Sequence, residues 1–296
     1  MQQLKFLSMD IGIDIGATKM MGLVFNSESK MVHYHVQYPT PHNVASFQQT
    51  LNTIFSSLVG SLQGKALHSI GVAAAGKVSV EGAVQFPHIP ELGNAPLREW
   101  VLSFAREKGV PDVSVFMEND AKLYTLAEYL LGAAQGKYIV IGITLGSGLG
   151  GGIIINGSLY HGADDTAGEF GHMVMDHISG TTWEQLCSKQ FFASIAAGTD
   201  PEDLEHRARA GEAAAHEQYQ KFGHHLGVGL ANILNAFNPD SIVLGGGLAQ
   251  AADLFLPETQ TTIQKLLPYT TTRDIRQGMF IHEGAALGAA LAHTLR

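Results

Sequence analysis

Apolar β-branched runs and helical patterns follow one another along the chain. The runs Phe6–Ile15, Met20–Phe25 and Tyr138–Leu145 have the length and composition of buried strands. Apolar residues in Phe47–Leu62 recur at the spacing of one helix face. The same criteria predict further strands at Ser69–Ala75, Val113–Glu118 and Ser241–Leu244, and further helices at Leu97–Lys108, after Asp120, from Pro201 to about Gln220 with continuation to Phe237, and at Glu283–Leu295.

Each half of the chain opens with two strands joined by a glycine-containing turn, near residue 14 and near residue 146. In the second hairpin, five glycines between Gly146 and Gly152 separate Tyr138–Leu145 from the next apolar run, Ile153–Ile155. Glycine permits positive φ and leaves backbone N–H groups uncovered, which suits close approach to an anion. The literal match to G-x-G-x-x-G is weak, because a dinucleotide-binding fingerprint must open a helix. Phosphate binding and a plain glycine-rich hairpin both fit this segment.

The first hairpin carries polar groups that phosphate or a hydrated metal ion would use. Asp14 is the second-last residue of the first strand, and Gly16, Ala17, Thr18 and Lys19 form the turn that follows. A carboxylate can hold water on a metal ion, a hydroxyl can bind phosphate, and the lysine adds positive charge. A plain hairpin with Asp14 capping its turn is the structural alternative.

Further candidate residues stand alone or in short motifs. Asn119 and Asp120 lie at a strand-to-helix junction, where a capping role is common for both residue types. Glu169 and His172 are three residues apart and could reach one ligand from a short helical turn, and Glu184 follows. The structural alternatives are a buried histidine with its hydrogen bonds satisfied and a solvated helical glutamate.

The composition excludes several classes of function. The net charge of −9 over 296 residues argues against a nucleic-acid-binding surface. A single cysteine, Cys187, cannot form an intrachain disulfide or a cysteine-rich zinc site. The chain shows neither a run that would span a bilayer nor a signal peptide, so we expect a cytoplasmic protein.

The motifs, taken in order, resemble those of the ROK family of sugar kinases. Asp14–Lys19 is similar to the family's first phosphate motif, and Leu145–Gly152, with Ser147 in place of the usual threonine, is similar to the second. Asn119-Asp120-Ala121 matches the catalytic Asn-Asp-Ala, and Gly168–His172 matches Gly-Glu-x-Gly-His, whose Glu and His bind the sugar. The Gly-Gly-Gly loop at Gly245–Gly247 resembles the adenosine motif.

This resemblance implies an α/β protein with the actin-like ATPase (ribonuclease H-like) fold, built from two α/β domains with a central cleft. It places the smaller domain at residues 1–118 plus 283–296 and the larger one at 119–282. It implies an ATP-dependent kinase that uses Mg²⁺ and phosphorylates a hexose hydroxyl, most simply the 6-hydroxyl of glucose. A homodimer with a small-molecule sugar substrate and no nucleic-acid or membrane partner is expected.

The resemblance also assigns a role to each candidate residue. Asp120 is the expected catalytic base. The expected sugar-binding residues are Asn119, Asp120, Glu169, His172 and Glu184. The expected ATP-binding residues are Asp14, Gly16, Ala17, Thr18, Lys19, Gly146, Ser147, Gly148, Gly245, Gly246 and Gly247.

The segment after His172 departs from the family pattern. Members usually carry a cysteine cluster there that holds zinc together with the histidine, whereas residues 173–184 contain no cysteine. We therefore expect no structural zinc, with Mg²⁺ arriving with ATP. The family's Pro-Asn-Leu is replaced by Pro87-His88-Ile89, so the identity of the sugar stays open.

Alternative functions remain within the same superfamily. The alternatives are a kinase for an N-acetylhexosamine such as N-acetylmannosamine, or for fructose or allose, and a non-catalytic sugar-sensing ROK protein. We disfavour a sugar-sensing repressor, because the chain begins at its first strand without a helix-turn-helix. The Gly-Glu-x-Gly-His motif argues against an assembly ATPase.

Overall fold

The structure, a computed structural model, describes residues 8–195, 200–267 and 274–295. The chain forms two compact units. Unit 1 comprises residues 1–127 and 283–296, and unit 2 comprises residues 128–282. This division falls inside helix α3 (Asp120–Leu130), whereas the domain prediction assigned the whole helix to the second domain.

Unit 1 is built on a five-stranded mixed sheet. Its strands are β1 (Ser8–Ile15), β2 (Lys19–Asn26), β3 (Met31–Pro39), β4 (Ala66–Ala74) and β8 (Ser114–Asn119), with the short strands β5 (Lys77–Val78), β6 (Val84–Gln85) and β7 (Asn94–Ala95) in a separate sheet. The order across the main sheet is β3-β2-β1-β4-β8. The β1–β2 and β2–β3 pairs are antiparallel, and the β1–β4 and β4–β8 pairs are parallel.

The helices of unit 1 bury apolar faces against this sheet. They are α1 (Val44–Ser61), α2 (Leu97–Glu107) and α9 (Gly284–Ala290), whereas α3 meets α9 where Gly288 lies against the Leu123 carbonyl. Asn43 caps α1 by accepting a hydrogen bond from the Ser46 amide, and the apolar side of α1, which includes Phe47 and Ile54, is completely buried. Each such side chain contributes about 1.5–3 kcal/mol through burial.

Unit 2 repeats the strand arrangement of unit 1. Its strands are β9 (Ile139–Leu145), β10 (Leu149–Ile155), β11 (Ser158–Leu159), β12 (Val174–Asp176), β13 (Thr181–Thr182), β14 (Ser241–Gly245) and β15 (Asp274–Gln277). The order across its five-stranded sheet is β11-β10-β9-β14-β15, again with an antiparallel hairpin pair followed by parallel strands. The helices are α4 (Trp183–Leu186), α5 (Lys189–Ile195), α6 (Pro201–Arg209), α7 (Ala213–Phe237) and α8 (Ala252–Leu266).

Several predicted boundaries differ from the structure. The glycines of the second hairpin do not all lie in its turn, because Gly150, Gly151 and Gly152 pair in register with β9 as part of β10. The predicted helix from Pro201 to Phe237 is broken at Gly211, whose φ of +90° leaves the helical region.

The two ends of the chain and strand β3 also differ from the predicted elements. The C-terminal helix ends at Ala290 and is followed by a 3₁₀ turn, Ala292–Thr294. Strand β3 has no counterpart in the sequence prediction. The predicted start of the first strand at Phe6 lies outside the described residues.

Candidate functional site

The turn between β1 and β2 is closed by backbone hydrogen bonds. The Gly16 amide donates to the Lys19 carbonyl at 3.0 Å, and the Thr40 amide donates to the Thr18 carbonyl at 3.1 Å. The Thr40 hydroxyl also donates to the Gly16 carbonyl at 2.7 Å. Thr40 therefore holds the predicted phosphate turn from the end of β3, a contribution that no sequence pattern indicated.

Asp14 lies at the carboxyl end of the parallel part of the unit 1 sheet. It pairs with Ala73 of β4, which in turn pairs with Glu118 of β8. Asp14 and Glu118 are thus two strands apart, or about 10 Å at the usual strand spacing. Asn119 ends β8 and Asp120 opens α3 immediately afterwards. The carboxyl end of parallel strands is where open α/β sheets bind ligands.

The electrostatic environment of Asp14 is unfavourable for its charged form. Burial of the carboxyl group raises its pKa from 3.8 to about 7, helped by the negative charge of Asp120 and opposed by the positive charge of Lys19. The negative charge of Asp120 therefore acts on the Asp14 carboxyl group, so the two side chains lie within electrostatic reach of each other. Perturbed carboxylates of this kind are typical of functional sites.

The cap of α3 is provided by Asn119. Its Oδ1 accepts hydrogen bonds from the amides of Ala121 at 3.0 Å and Lys122 at 3.2 Å, the bonds expected of an N-cap side chain. Its Nδ2 donates to the Gly76 carbonyl at 3.5 Å. Asp120 contributes one oxygen to the Ala121 amide of the next residue. The capping role considered for Asp120 from sequence thus belongs mainly to Asn119.

A buried ion pair lies beside this junction. Lys122 Nζ is 3.4 Å from Glu118 Oε1, and the Lys122 side chain is only 4% exposed. The same Glu118 oxygen accepts a hydrogen bond from the Asn119 amide at 2.7 Å. No motif in the sequence indicates this pair. It fixes the backbone on both sides of Asn119.

In unit 2, the turn of the second hairpin consists of Gly146, Ser147 and Gly148. The Gly146 amide donates to the Gly148 carbonyl at 2.9 Å, and the Lys189 amide at the start of α5 donates to the Gly146 carbonyl at 2.9 Å. Leu145 and Leu149 pair across the base of the turn. The three residues are half-buried, so their backbone retains access to solvent.

The Glu184 carboxylate accepts hydrogen bonds from residues next to this turn. Its Oε2 accepts a hydrogen bond from the Leu149 amide at 2.9 Å, and its Oε1 accepts one from Gln190 Nε2 at 3.1 Å. The carboxylate is half-buried, which excludes the solvated-helix alternative. Whether Glu184 contacts a sugar stays a prediction, but its hydrogen bonds connect α4 to the second hairpin and to α5.

The Gly168–His172 motif packs directly on β10 through glycines. A Cβ atom built on Gly151 would lie 2.5 Å from the Gly168 carbonyl oxygen, and one on Gly168, whose φ is +98°, would lie 2.5 Å from the Gly151 carbonyl oxygen. A Cβ on Gly171 would lie 2.4 Å from the Leu149 carbonyl oxygen. Larger residues at these positions would push the two motifs apart. The glycines therefore fix the Gly168–His172 motif against β10, the strand that leaves the turn of the second hairpin.

Glu169 and His172 present their side chains to solvent. His172 Nε2 lies 3.8 Å from Glu169 Oε2, and the two side chains are 78% and 54% exposed. This exposure excludes the buried-histidine alternative for His172. The pair can offer one carboxylate and one imidazole to a polyhydroxylated ligand.

The third glycine loop lies beside the second hairpin within unit 2. Gly246 has a φ of +80°, and a Cβ there would lie 2.4 Å from the Leu145 carbonyl oxygen. Gly245 ends β14, and Gly247 begins a 3₁₀ turn that leads into α8. The two glycine-rich turns of unit 2 thus share one edge of its sheet.

The remaining candidate groups are structural. Cys187 is completely buried, and burial raises the pKa of its thiol well above the usual range, so it is not a reactive nucleophile.

The helices of the described residues are all too short or too polar to span a membrane.

Comparison with known proteins gives consistent matches over most of the chain. The model of the ROK family matches residues 10–294. Glucokinase from Streptomyces coelicolor is 31% identical over 292 residues, which cover 88% of this chain and 89% of that protein. N-acetyl-D-glucosamine kinase from Pectobacterium atrosepticum is 28% identical, with coverage of 96% and 98%.

A solved structure supports the fold. The crystal structure of a ROK family glucokinase from Streptomyces griseus in complex with glucose and AMPPNP has a TM-score of 0.81 at 26% identity, covering 97% of this chain and 99% of that one. The prediction of an α/β protein with the actin-like ATPase fold is confirmed. With nearly its whole length matched by the family model, this chain belongs to the ROK family.

Proposed function

We propose that this protein is an ATP-dependent sugar kinase that transfers the γ-phosphoryl group to a hexose hydroxyl, with the 6-hydroxyl of glucose as the favoured acceptor. The observation that carries the proposal is the arrangement at the end of β8. Asn119 caps α3 there, so the Asp120 carboxylate is not required for the cap. Relatives named glucokinase, one of them solved with glucose and AMPPNP, support the choice of donor and acceptor.

Asp120 is the proposed general base. A sugar hydroxyl loses its proton only as the transition state forms, so a positioned carboxylate is sufficient. Glu169 and His172 are proposed to hold the sugar through hydrogen bonds to its hydroxyls, and Asn119 and Glu184 to complete that set. Such contacts orient the reacting hydroxyl, and orientation is a large part of catalysis in phosphoryl transfer.

The glycine turns are proposed to bind ATP. The backbone amides around Gly16 and Gly146 would face phosphate oxygens, assisted by the hydroxyls of Thr18 and Ser147 and by the charge of Lys19. Gly245–Gly247 offers bare backbone to the adenosine. These roles rest on the family resemblance, on the backbone hydrogen bonds that close the two hairpin turns, and on the close approach of Gly246 to the Leu145 carbonyl.

The carboxylates of unit 1 fit a magnesium ion. Mg²⁺ prefers oxygen ligands and binds proteins through one or two carboxylates. Asp14 has a raised pKa because it is buried near the charge of Asp120, and a bound cation would relieve this repulsion. When bound, the ion would supply positive charge that neutralises phosphate oxygens.

A second acceptor is favoured by a specific relative. The 28% identical N-acetyl-D-glucosamine kinase covers nearly the whole chain, so N-acetylated hexosamines belong in the test. We also propose that the protein is a cytoplasmic homodimer. Light scattering coupled to size-exclusion chromatography gives its mass directly.

The test is sugar-dependent ADP release with Mg·ATP across glucose, mannose, fructose, allose, N-acetylglucosamine and N-acetylmannosamine. We expect glucose to give the highest kcat/KM. A higher value for an N-acetylhexosamine would keep the kinase but replace its substrate. Sugar binding by calorimetry without ADP release for any sugar would contradict the kinase and favour a sensor.

A further inference from the structure

A cluster of one aspartate and two histidines lies in unit 1, away from the proposed catalytic residues. Asp10 Oδ1 is 2.9 Å from His68 Nδ1 and 3.7 Å from His293 Nδ1. One potential ligand atom from each residue lies within 4.8 Å of the other two. The two imidazole rings meet edge to face at 4.9 Å. Among the described residues, this is the one group of three metal-binding side chains with such spacing.

The fold places this carboxylate inside the sheet. Asp10 is 0% exposed although it carries an ionisable side chain. Its Oδ1 accepts a hydrogen bond from the Ser69 hydroxyl at 2.6 Å, and its Oδ2 accepts one from the Ser27 hydroxyl at 2.7 Å. Two serines thus orient the carboxylate in the way that outer-shell groups orient a metal ligand.

A β-bulge supplies the first histidine. In the β1–β4 pair, Met9 is opposite Leu67 and Asp10 is opposite Ser69, so His68 is the extra residue. Bulges redirect a side chain and are frequent near functional sites. Here the bulge brings His68 to Asp10 while leaving the imidazole side chain 51% exposed. Solvent therefore reaches the His68 ring, while Asp10 stays buried beneath it.

Close packing of α9 supplies the second histidine. Gly12 of β1 and Gly71 of β4 are paired across the sheet and lie under α9. A Cβ atom would lie 1.9 Å from a helix carbonyl oxygen if built on Gly12 and 1.7 Å from one if built on Gly71. The helix therefore sits directly on the sheet. The 3₁₀ turn that follows it carries His293, whose Nδ1 is 3.1 Å from the Ala290 carbonyl oxygen.

The donor set suits a transition-metal ion. Imidazole and carboxylate together bind zinc and its neighbours, with Zn–N and Zn–O distances of about 2.0–2.2 Å. Two ligands at such distances in a tetrahedron are about 3.3 Å apart, and the observed separations of 2.9 and 3.7 Å lie on either side of this value. Each neutral histidine would carry its proton on Nε2 and offer the lone pair of Nδ1. The hydrogen bonds of His68 Nδ1 to Asp10 Oδ1 and of His293 Nδ1 to the Ala290 carbonyl would both be given up.

We propose that Asp10, His68 and His293 form an exchangeable site for a divalent transition-metal ion such as Zn²⁺, with water as a further ligand. The bound ion joins β1, β4 and the C-terminal turn of unit 1. Asp10 precedes Asp14 by four residues on the same strand, which corresponds to about 13 Å. The site is therefore separate from the proposed catalytic carboxylates and does not depend on the kinase activity.

The test is Zn²⁺ binding measured by calorimetry on the full chain in nucleotide-free buffer. We expect one Zn²⁺ per chain for the wild type. H68Q and H293Q should each weaken binding at least tenfold, since even outer-shell changes cost 10- to 100-fold in metal affinity. The matched control is H216Q, because His216 is an exposed histidine on α7. It should bind Zn²⁺ like the wild type.

Thermal melts provide a second measurement. Zn²⁺ should raise the melting temperature of the wild type and of H216Q, because a ligand that binds only the folded state stabilises it. The double variant H68Q/H293Q should fold but show no such rise. D10N is not needed for the conclusion, since loss of the buried carboxylate can itself disturb folding.

Three results would overturn the proposal. The first is a wild-type protein that binds no Zn²⁺. The second is a double variant that binds it as tightly as the wild type. The third is loss of binding in H172Q with retention in the double variant, which would place zinc at the Gly-His motif and contradict the expectation drawn from its missing cysteines.

Discussion

The raised pKa of Asp14 predicts that the wild-type carboxylate destabilises unit 1 at neutral and alkaline pH. The pKa is about 7 in the folded protein, against 3.8 for an ordinary aspartate. The folded state therefore binds more protons than the unfolded state between these values, and stability falls as the pH rises from about 4 to about 7. Above pH 7 the contribution is constant. The substitution Asp14→Asn removes the titrating group and should flatten this part of the stability profile.

The magnitude follows from the two pKa values. Their difference corresponds to about 4 kcal/mol at 1.36 kcal/mol for each pH unit. Asp14 retains some solvent access, and solvent screens its charge. We therefore expect Asp14→Asn to be more stable than the wild type by on the order of 2 kcal/mol at pH 8 and by much less at pH 4.5. A domain of 150–250 residues gains about 2–4 °C in melting temperature per kcal/mol.

The assay compares thermal melts of both proteins at pH 4.5, 6 and 8 without Mg²⁺ or nucleotide. Only the difference between variant and wild type at the same pH is interpreted, because groups far from Asp14 titrate equally in both. Asp120→Asn serves as a companion variant. Removal of the Asp120 charge should lower the pKa of Asp14. The stability of Asp120→Asn should therefore depend on pH less than that of the wild type, but still measurably. A constant difference between Asp14→Asn and wild type across the three pH values would refute the reasoning.

Two further predictions concern the sugar motif and the cap. Glu169→Gln and His172→Ala should each raise the KM for sugar strongly and leave ATP affinity near the wild-type value. The reason is that both side chains are exposed on the Gly168–His172 motif and not on a glycine turn. A fall in ATP affinity measured by calorimetry would contradict this assignment. Asn119→Ala should lower the free energy of unfolding by about 1 kcal/mol, the usual cost of losing an N-cap, whereas an unchanged denaturation midpoint would show that the cap is dispensable.

The sequence predicted the central strands and the glycine turns that follow them. The runs around β1 and β9 are continuous and apolar because parallel or central strands are buried on both faces. The turns that follow them were predicted at Gly16 and Gly146 from their glycine content, and both close through backbone hydrogen bonds. The duplicated strand order in the two units agrees with the two hairpins seen in the sequence.

Other features depend on contacts that no local pattern encodes. Strand β3 is different, because Val32–Tyr38 alternates apolar and polar residues, a local strand pattern that the prediction left out; its residues are mostly exposed because it lies at the edge of the sheet. Neighbouring Asn119 and Asp120 are both good capping residues, and only the structure shows which one caps. The Asp10 cluster joins residues far apart in sequence through a bulge, which cannot be predicted from either strand alone.

The central claim is that Asp120 acts as the base of a sugar kinase, and Asp120→Asn tests it most directly. The variant keeps the size of the side chain and leaves the Asn119 cap in place, so the melting temperature should not fall. The account predicts that kcat with glucose and Mg·ATP falls by roughly 10²- to 10⁴-fold, the usual share of a general base, while KM changes little. Both quantities should be measured on one preparation. A folded Asp120→Asn protein with nearly wild-type kcat would contradict the account.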